Sequence, residues 1–415
     1  MSSAHHGDHR ALLRRVRRTA ATDAQVHAII VPSARPASYI MAAADLARRL
    51  NCVLAVLCSK IAERRDIIAS IERNRIIVDV VAADVSDVAR LPLPRLLTST
   101  ILAGTEFERP TDTSAKRNLG LALSRMVGWA NVVFLDDDIR VPNPADLRRA
   151  VAELPRHDGV GLLIGGYPDN SVVCHAYRRA GGPQATFVGG GALAVPADRI
   201  DSFFPEIYNE DWFFLLGDKG LRPAAIVGKA KQAPYDPFAD PDRARREEFG
   251  DVLAEGIFAL LDSGKKIQNA DEIYWEGFLR HRQSLIEDIV DRLPECAVEA
   301  GQKQRMLAAL EASREILLRI EPRHCVGYLE AWHEDRITWR NHVMQLPRDV
   351  PLKEALNRLG LGEESTVCLN RTGPWPLEPK LRRARRRLDR GARRRQRHKR
   401  LLAWTQATIN RLRRC

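Results

Sequence analysis

Four short runs of apolar, largely β-branched residues, at 27–31, 52–57, 76–81 and 131–135, are separated by stretches whose apolar residues recur at helical spacing. Runs this apolar suit strands covered on both faces, as in a parallel sheet. Their alternation with helices at 39–50, 61–74 and 114–127 predicts an α/β fold, with a mostly parallel central sheet flanked by helices. A further helix is expected at 143–154, where Asn143 can cap and Pro144 suits the first helical position. Residues 159–166 and 171–177 read as further strands, and Gly189-Gly190-Gly191 interrupts the apolar pattern before a short run at 193–195. After about residue 240 the character changes: 243–261, 273–293, 296–320 and 328–343 all carry helical spacing and few strand signals. The chain therefore divides into a basic N-terminal extension (1–24), two α/β halves (25–145 and 146–240), a helical C-terminal accessory domain (241–375) and a basic tail (376–415).

At 415 residues the chain is long enough for more than one small domain. No apolar stretch approaches the ~18 residues expected of a membrane span. Five arginines lie in the first 21 residues with no apolar core after them, so no secretory signal is expected. Seven scattered cysteines without a CxxC pair argue against a disulfide framework or zinc ribbon, and fit a reduced, cytoplasmic setting. The formal charge of +12 is concentrated at the C-terminus. Residues 376–415 hold sixteen Lys and Arg against Glu378 and Asp389, a surplus of +14 that leaves the rest near −2. Such a tail can contact an anionic membrane surface, bind nucleic acid, or form a solvated or partner-binding helix; of the first two, nucleic acid is the weaker reading.

The fourth apolar run ends in Asp136-Asp137-Asp138. Like charges this close repel. A divalent cation bridging to a phosphorylated ligand would relieve them, and hard oxygens suit Mg²⁺ or Mn²⁺. A solvated acidic turn is the alternative. One element earlier, Ser114-Ala115-Lys116-Arg117-Asn118-Leu119-Gly120 opens a helix whose cations and free N–H groups would suit phosphate, or merely make a solvated first turn. Further on stand the glycine triplet, which reads equally well as a plain loop or bulge, and Asn209-Glu210-Asp211-Trp212, where the alternative is that the acids simply favour a helix N-terminus.

This order resembles the family 2 glycosyltransferases and their relatives with the GT-A fold, over residues 25 to 240. In that family an A-[KR]-N-x-G helix precedes a strand ending in a D-x-D motif, and a glycine-rich acceptor-side segment and an E-D pair follow. The resemblance implies a nucleotide-sugar-binding half at 25–145 and an acceptor-binding half at 146–240. It implies transfer of a sugar from a nucleotide-diphospho-sugar to an acceptor hydroxyl, metal-dependent (Mn²⁺ or Mg²⁺) and with inversion. Asp138, with Asp136, would hold the metal. Asp136 or Asp137 would contact the ribose. Asp211 would be the general base, with Glu210 orienting the site or binding the sugar. Ser33, Arg35, Lys116, Arg117, Asn118, Gly190 and Gly191 would bind substrate. The acceptor itself, whether glycan, lipid or small molecule, is not legible.

Two departures stand out. Relatives commonly carry an acid at the end of the second strand to read the base; here that place is Cys58-Ser59-Lys60. No histidine follows at 227–240 as a later metal ligand, so Lys229 or Lys231 could neutralise diphosphate instead, and Asp236 could reach the metal. Rival readings are a retaining enzyme of the same fold, a sugar-1-phosphate nucleotidyltransferase, which lacks its usual glycine-rich signature here, and a nucleic-acid-binding protein using the basic tail. Neither G-x-G-x-x-G nor G-x-x-x-x-G-K-[ST] is present.

Overall fold

Backbone amides of an apolar run must find partners before the run can be buried, and here the runs pair with one another. The computed structural model describes residues 9–14, 16, 24–85, 87–166, 171–182 and 187–369. Its strands are β1 (Ala28–Ser33), β2 (Val53–Cys58), β3 (Val80–Asp84), β4 (Val132–Leu135), β5 (Ile139–Arg140), β6 (Gly159–Gly166), β7 (Ala192–Val195), β8 (Leu216–Gly217), β9 (Gly220–Leu221), β10 (Ala224–Gln232) and β11 (Ser365–Cys368). Its helices are α1 (Met41–Leu50), α2 (Arg64–Arg73), α3 (Leu97–Leu102), α4 (Thr113–Val127), α5 (Pro144–Glu153), α6 (Val172–Arg179), α7 (Glu210–Phe214), α8 (Pro241–Asp262), α9 (Glu272–Arg292), α10 (Ala300–Leu317), α11 (Pro322–Gln345) and α12 (Leu352–Arg358).

Nine strands form one sheet in the order β11-β3-β2-β1-β4-β7-β6-β10-β5, while β8 and β9 make a separate hairpin. The pairings β3-β2, β2-β1, β1-β4 and β6-β10 are parallel. Because β7 runs against both β4 and β6, these six strands all point the same way, and only β5, β7 and β11 oppose them. The carboxyl ends of β1, β2, β4 and β10 therefore share one edge with the start of β7. Helices α1, α2 and α5 cover one face, packing on Ile29, Val31, Leu54, Val56, Val133 and Leu135. On the other face α4 is buried from Ser114 to Met126. Gly120 permits that approach: a Cβ there would lie 2.9 Å from Ile30 and 3.3 Å from Phe134.

One expected strand is a helix. The run after residue 171 reads as β-branched, but Ser171 caps α6 by accepting from the Cys174 amide, and Val172, Val173 and Ala176 are buried. The cap and the helical burial face prevail over β propensity. The helical region also does not stand apart. The described residues lie within one compact unit, Met1–Asn370. Asp335 of α11 accepts from the Leu97 and Thr98 amides at 2.6 and 2.8 Å, capping α3 from outside. Strand β11 returns to the sheet beside β3. Of the N-terminal extension, His9 is buried against α8, bonded to Asp262 and, at 3.2 Å, to Glu255. The basic tail, residues 376–415, lies outside the described residues. None of the described helices is long and apolar enough to cross a membrane, and the six described cysteines are free.

Helix α8 buries Glu248 and Asp251, both met by Arg282 of α9 at 2.9 and 2.6 Å. Removing one partner of a buried ion network strands the others in low dielectric. Arg282→Met is therefore expected to lower unfolding free energy by about 3–5 kcal/mol, read by urea denaturation.

Candidate active site

The shared sheet edge opens into a cavity of about 420 Å³. Its floor is the turn after β1 (Ser33, Ala34, Arg35), the start of α4 (Lys116, Arg117), the three aspartates after β4, and Gly191 before β7. Glu210 and Asp211 at the start of α7 also line it. The remaining wall comes from Gln232, Tyr235 and, on α8, Arg243, Arg246 and Glu247. A crevice outside strand carboxyl ends is where open α/β sheets bind ligands.

Arg117 ties the two acidic clusters together. Its Nη2 donates to Asp136 Oδ1 at 2.8 Å and its Nη1 to Glu210 Oε1 at 2.5 Å. Burial alone would lower the Arg117 pKa, but Asp136, Glu210 and Asp211 together raise it, so it stays charged. Gly190 makes room for it: a Cβ there would lie 2.6 Å from Arg117 Nη1. The Gly190 amide in turn donates to Asp211 Oδ2, while the Trp212 amide donates to Asp211 Oδ1 at 2.9 Å. Burial, with repulsion from Glu210, pushes the Asp211 carboxyl up to about 6 against the pull of Arg117 and those two amides.

The triplet itself is split between two arginines. Asp137 accepts from Ser33 Oγ at 2.8 Å and from Arg35 Nη1 at 3.0 Å, and the same nitrogen lies 3.0 Å from Asp138 Oδ2. Burial raises the Asp137 pKa, opposed chiefly by Arg35 and Ser33. Lys116 is also engaged: its Nζ meets the Ser33 carbonyl at 2.8 Å, Ser59 Oγ at 2.6 Å and Asp112 at 3.1 Å. Ser59 stands just past β2, so the end of that strand is linked to Lys116. Burial lowers the Lys116 pKa, and Asp112 opposes the shift.

Three of the expected site residues are placed differently. Asn118 does not reach the cavity: its amide donates to the Phe204 carbonyl and accepts from the Phe204 amide, both at 2.8 Å, and so pins the 203–205 segment to α4. Gly190 lies behind the cavity wall, against Arg117. Lys231 is exposed on β10, in register with Arg140. Asp236 is also exposed, paired with Arg305 at 3.1 Å. Trp212, half-buried, packs with Phe187 and Phe258. Residues that sequence reasoning missed include Arg109, whose Nη1 donates to the Ile207 carbonyl at 3.0 Å beside Glu210, and Gln232, whose buried amide oxygen has no hydrogen-bond partner. Arg243, bonded to Glu247 at 2.6 Å, was missed as well. The only local signal for the last was a basic run beginning α8.

For a divalent cation the donor chemistry fits, since Asp136 and Asp138 bring hard carboxylate oxygens to the cavity wall. Among the described residues, one group of three metal-capable side chains has ligand atoms within 4.8 Å of one another: Cys174, Asp251 and Glu255. It lies outside the cavity. Its carboxylates are met by Arg282 and His9, and burial raises the Cys174 pKa well above the ordinary thiol value, which keeps the sulfur protonated.

No family model matches the sequence, and no curated protein matches it. Among solved structures, the chain is similar to a mannosyltransferase from Pyrobaculum calidifontis in complex with GDP-Man and Mn²⁺. The two are 16% identical with a TM-score of 0.38, over 75% of this chain and 86% of that one. It is similar also to mouse xyloside xylosyltransferase 1 in its apo form, at 12% identity and a TM-score of 0.25, over 42% and 68% of the two chains. Both neighbours are glycosyltransferases. At these scores the arrangement of the cavity, rather than the likeness, carries the functional conclusion.

Gly190→Ala is expected to push the Arg117 guanidinium off Glu210. The cost should be about 1–3 kcal/mol of stability, measured by chemical denaturation, as for other overpacked interiors.

Proposed function

We propose that the protein is a glycosyltransferase that moves a sugar from a nucleotide-diphospho-sugar to an acceptor hydroxyl, with inversion. The observation that supports this most is the meeting, in one cavity, of the β4 aspartates with Asp211, where Arg117 bonds both Asp136 and Glu210, the neighbour of Asp211. Displacement at a sugar carbon needs charge stabilisation on the leaving side and a base on the acceptor side, held at fixed separation. Ser33, Arg35 and Lys116, beside the carboxyl end of β1, would hold the nucleotide. Asp136 and Asp138 would hold Mn²⁺ or Mg²⁺, which when bound would neutralise charge developing on the diphosphate.

Asp211 takes the acceptor proton on a carboxylate oxygen. A carboxyl at about 6 is a better base than an ordinary aspartate and is still ionised at neutral pH. Glu210 holds Arg117, and through it the spacing between base and aspartates. The +14 surplus of residues 376–415 supports peripheral contact with an anionic membrane surface, where a lipid or envelope acceptor would be met. Co-sedimentation with anionic liposomes, with and without those residues, tests that contact; equal binding by both forms rules it out.

A screen for release of nucleoside diphosphate from UDP-, GDP-, TDP- and CDP-sugars, with and without divalent metal, tests the main proposal. Turnover that survives Asp138→Ala would overturn it. Asp211→Asn should lower kcat by about 10²–10⁴. A carboxyl raised in the folded state is protonated there at pH values where the unfolded chain has released its proton, so Asp211 costs stability as pH rises towards and past about 6. The melting temperature of Asp211→Asn relative to wild type should therefore be higher at pH 8 than at pH 5.

The same shift fixes a pH profile. The base is inactive when protonated, so kcat/KM should fall as pH drops through about 6, reported by initial rates at sub-saturating donor. An acid limb near 4 would remove Asp211 from the role.

A further inference from the structure

The two arginines that balance the aspartate triplet differ in one respect. The Arg117 side chain is 3% exposed and is fixed at both ends of its guanidinium, by Asp136 and Glu210. The Arg35 side chain is 45% exposed, and a single nitrogen, Nη1, sits 3.0 Å from both Asp137 Oδ1 and Asp138 Oδ2. Asp137 has a second holder in Ser33 Oγ. The Arg35 guanidinium also lies over an aromatic face at the surface, its Cζ 5.3 Å from the centroid of the exposed Tyr39 ring. One counter-charge is built in; the other is held at the surface by contacts it can leave.

We propose that Arg35 is an exchangeable counter-ion: it pairs with Asp138, yields that carboxylate to a divalent cation, and then meets the donor's diphosphate from the Tyr39 side. Two adjacent carboxylates repel, and a cation between them lowers the cost of keeping both ionised. A guanidinium already there holds the acids in place before the metal arrives, and must vacate Asp138 Oδ2 before that oxygen can bind an ion. The freed side chain carries five donors that match phosphate oxygens. The proposal rests on the reading of Asp138 as a metal ligand and assigns Arg35 two successive partners.

The test is Mn²⁺ binding to the full chain without donor, followed by the electron paramagnetic resonance signal of free Mn²⁺. Wild type is compared with Arg35→Ala, Arg35→Lys and Asp138→Ala. Removing the competitor should tighten Mn²⁺ binding about tenfold, with Arg35→Lys close to wild type and Asp138→Ala without measurable binding. In saturating Mn²⁺ the order should reverse for a nucleoside diphosphate, which Arg35→Ala should bind more weakly than wild type. Equal or weaker Mn²⁺ binding by Arg35→Ala would overturn the exchange and leave the metal reading standing. Absence of Mn²⁺ binding from both wild type and Arg35→Ala would overturn both. Donor turnover in the same preparations reports separately on glycosyl transfer.

Discussion

The ion pair network of Arg117 is the interaction on which the rest of the site depends. Its guanidinium reaches the end of β4 through Asp136 and the start of α7 through Glu210, two places that the sheet alone would leave unconnected. Burying an arginine is costly unless its charge is met in full. Here three carboxylates meet it, and the third, Asp211, is the one left to carry a raised pKa. Gly190 is required for the same reason, because only a residue without Cβ lets the backbone pass so close to the guanidinium. One buried cation thus sets where the start of α7 stands, while burial and Glu210 set the basicity of the candidate base there.

Support for that network comes from beyond the sheet. Asn118, one residue on from Arg117, clamps both backbone groups of Phe204, and the Phe204 ring lies 5.4 Å from the Arg117 guanidinium carbon. Phe204 stacks on Phe214 with centroids 4.2 Å apart, which fixes the end of α7 relative to α4. The motif Lys116-Arg117-Asn118 therefore divides its labour. Lys116 braces the ends of β1 and β2, Arg117 joins the acids, and Asn118 holds the segment that carries α7.

Much of this was legible in the sequence because it is local. Apolar runs gave strands, and Asn143-Pro144 gave a capped helix start. The aspartates fell at a strand end, where a parallel sheet delivers them to its edge. What was not legible depends on long-range pairing. Nothing near Asn118 indicates that its amide would be spent on Phe204, and Lys231 reads as a cavity cation until the register of β10 places it opposite Arg140. The α8 wall of the cavity was invisible because the family resemblance stopped at residue 240, whereas Arg243 and Glu247 reach back from the next helix. The error at residues 171–177 has a different source: a capping serine outweighed β-branched composition.

Strand β11 has a consequence for how the chain assembles. Strand β3 borders β2 on one side and β11 on the other, and the nearby pair Arg64–Glu364 joins residues 300 positions apart. A growing polypeptide can form the β1-β2-β3 unit early, but its outer backbone groups have no native partner until almost the whole described chain has been made. Pairing of such high sequence separation is slow, and an open strand edge is a template for other chains. The last of the described strands to be synthesised is thus the one that seals the first sheet segment to fold, so the interval between the two is when a nascent chain is most open to pairing with a neighbour.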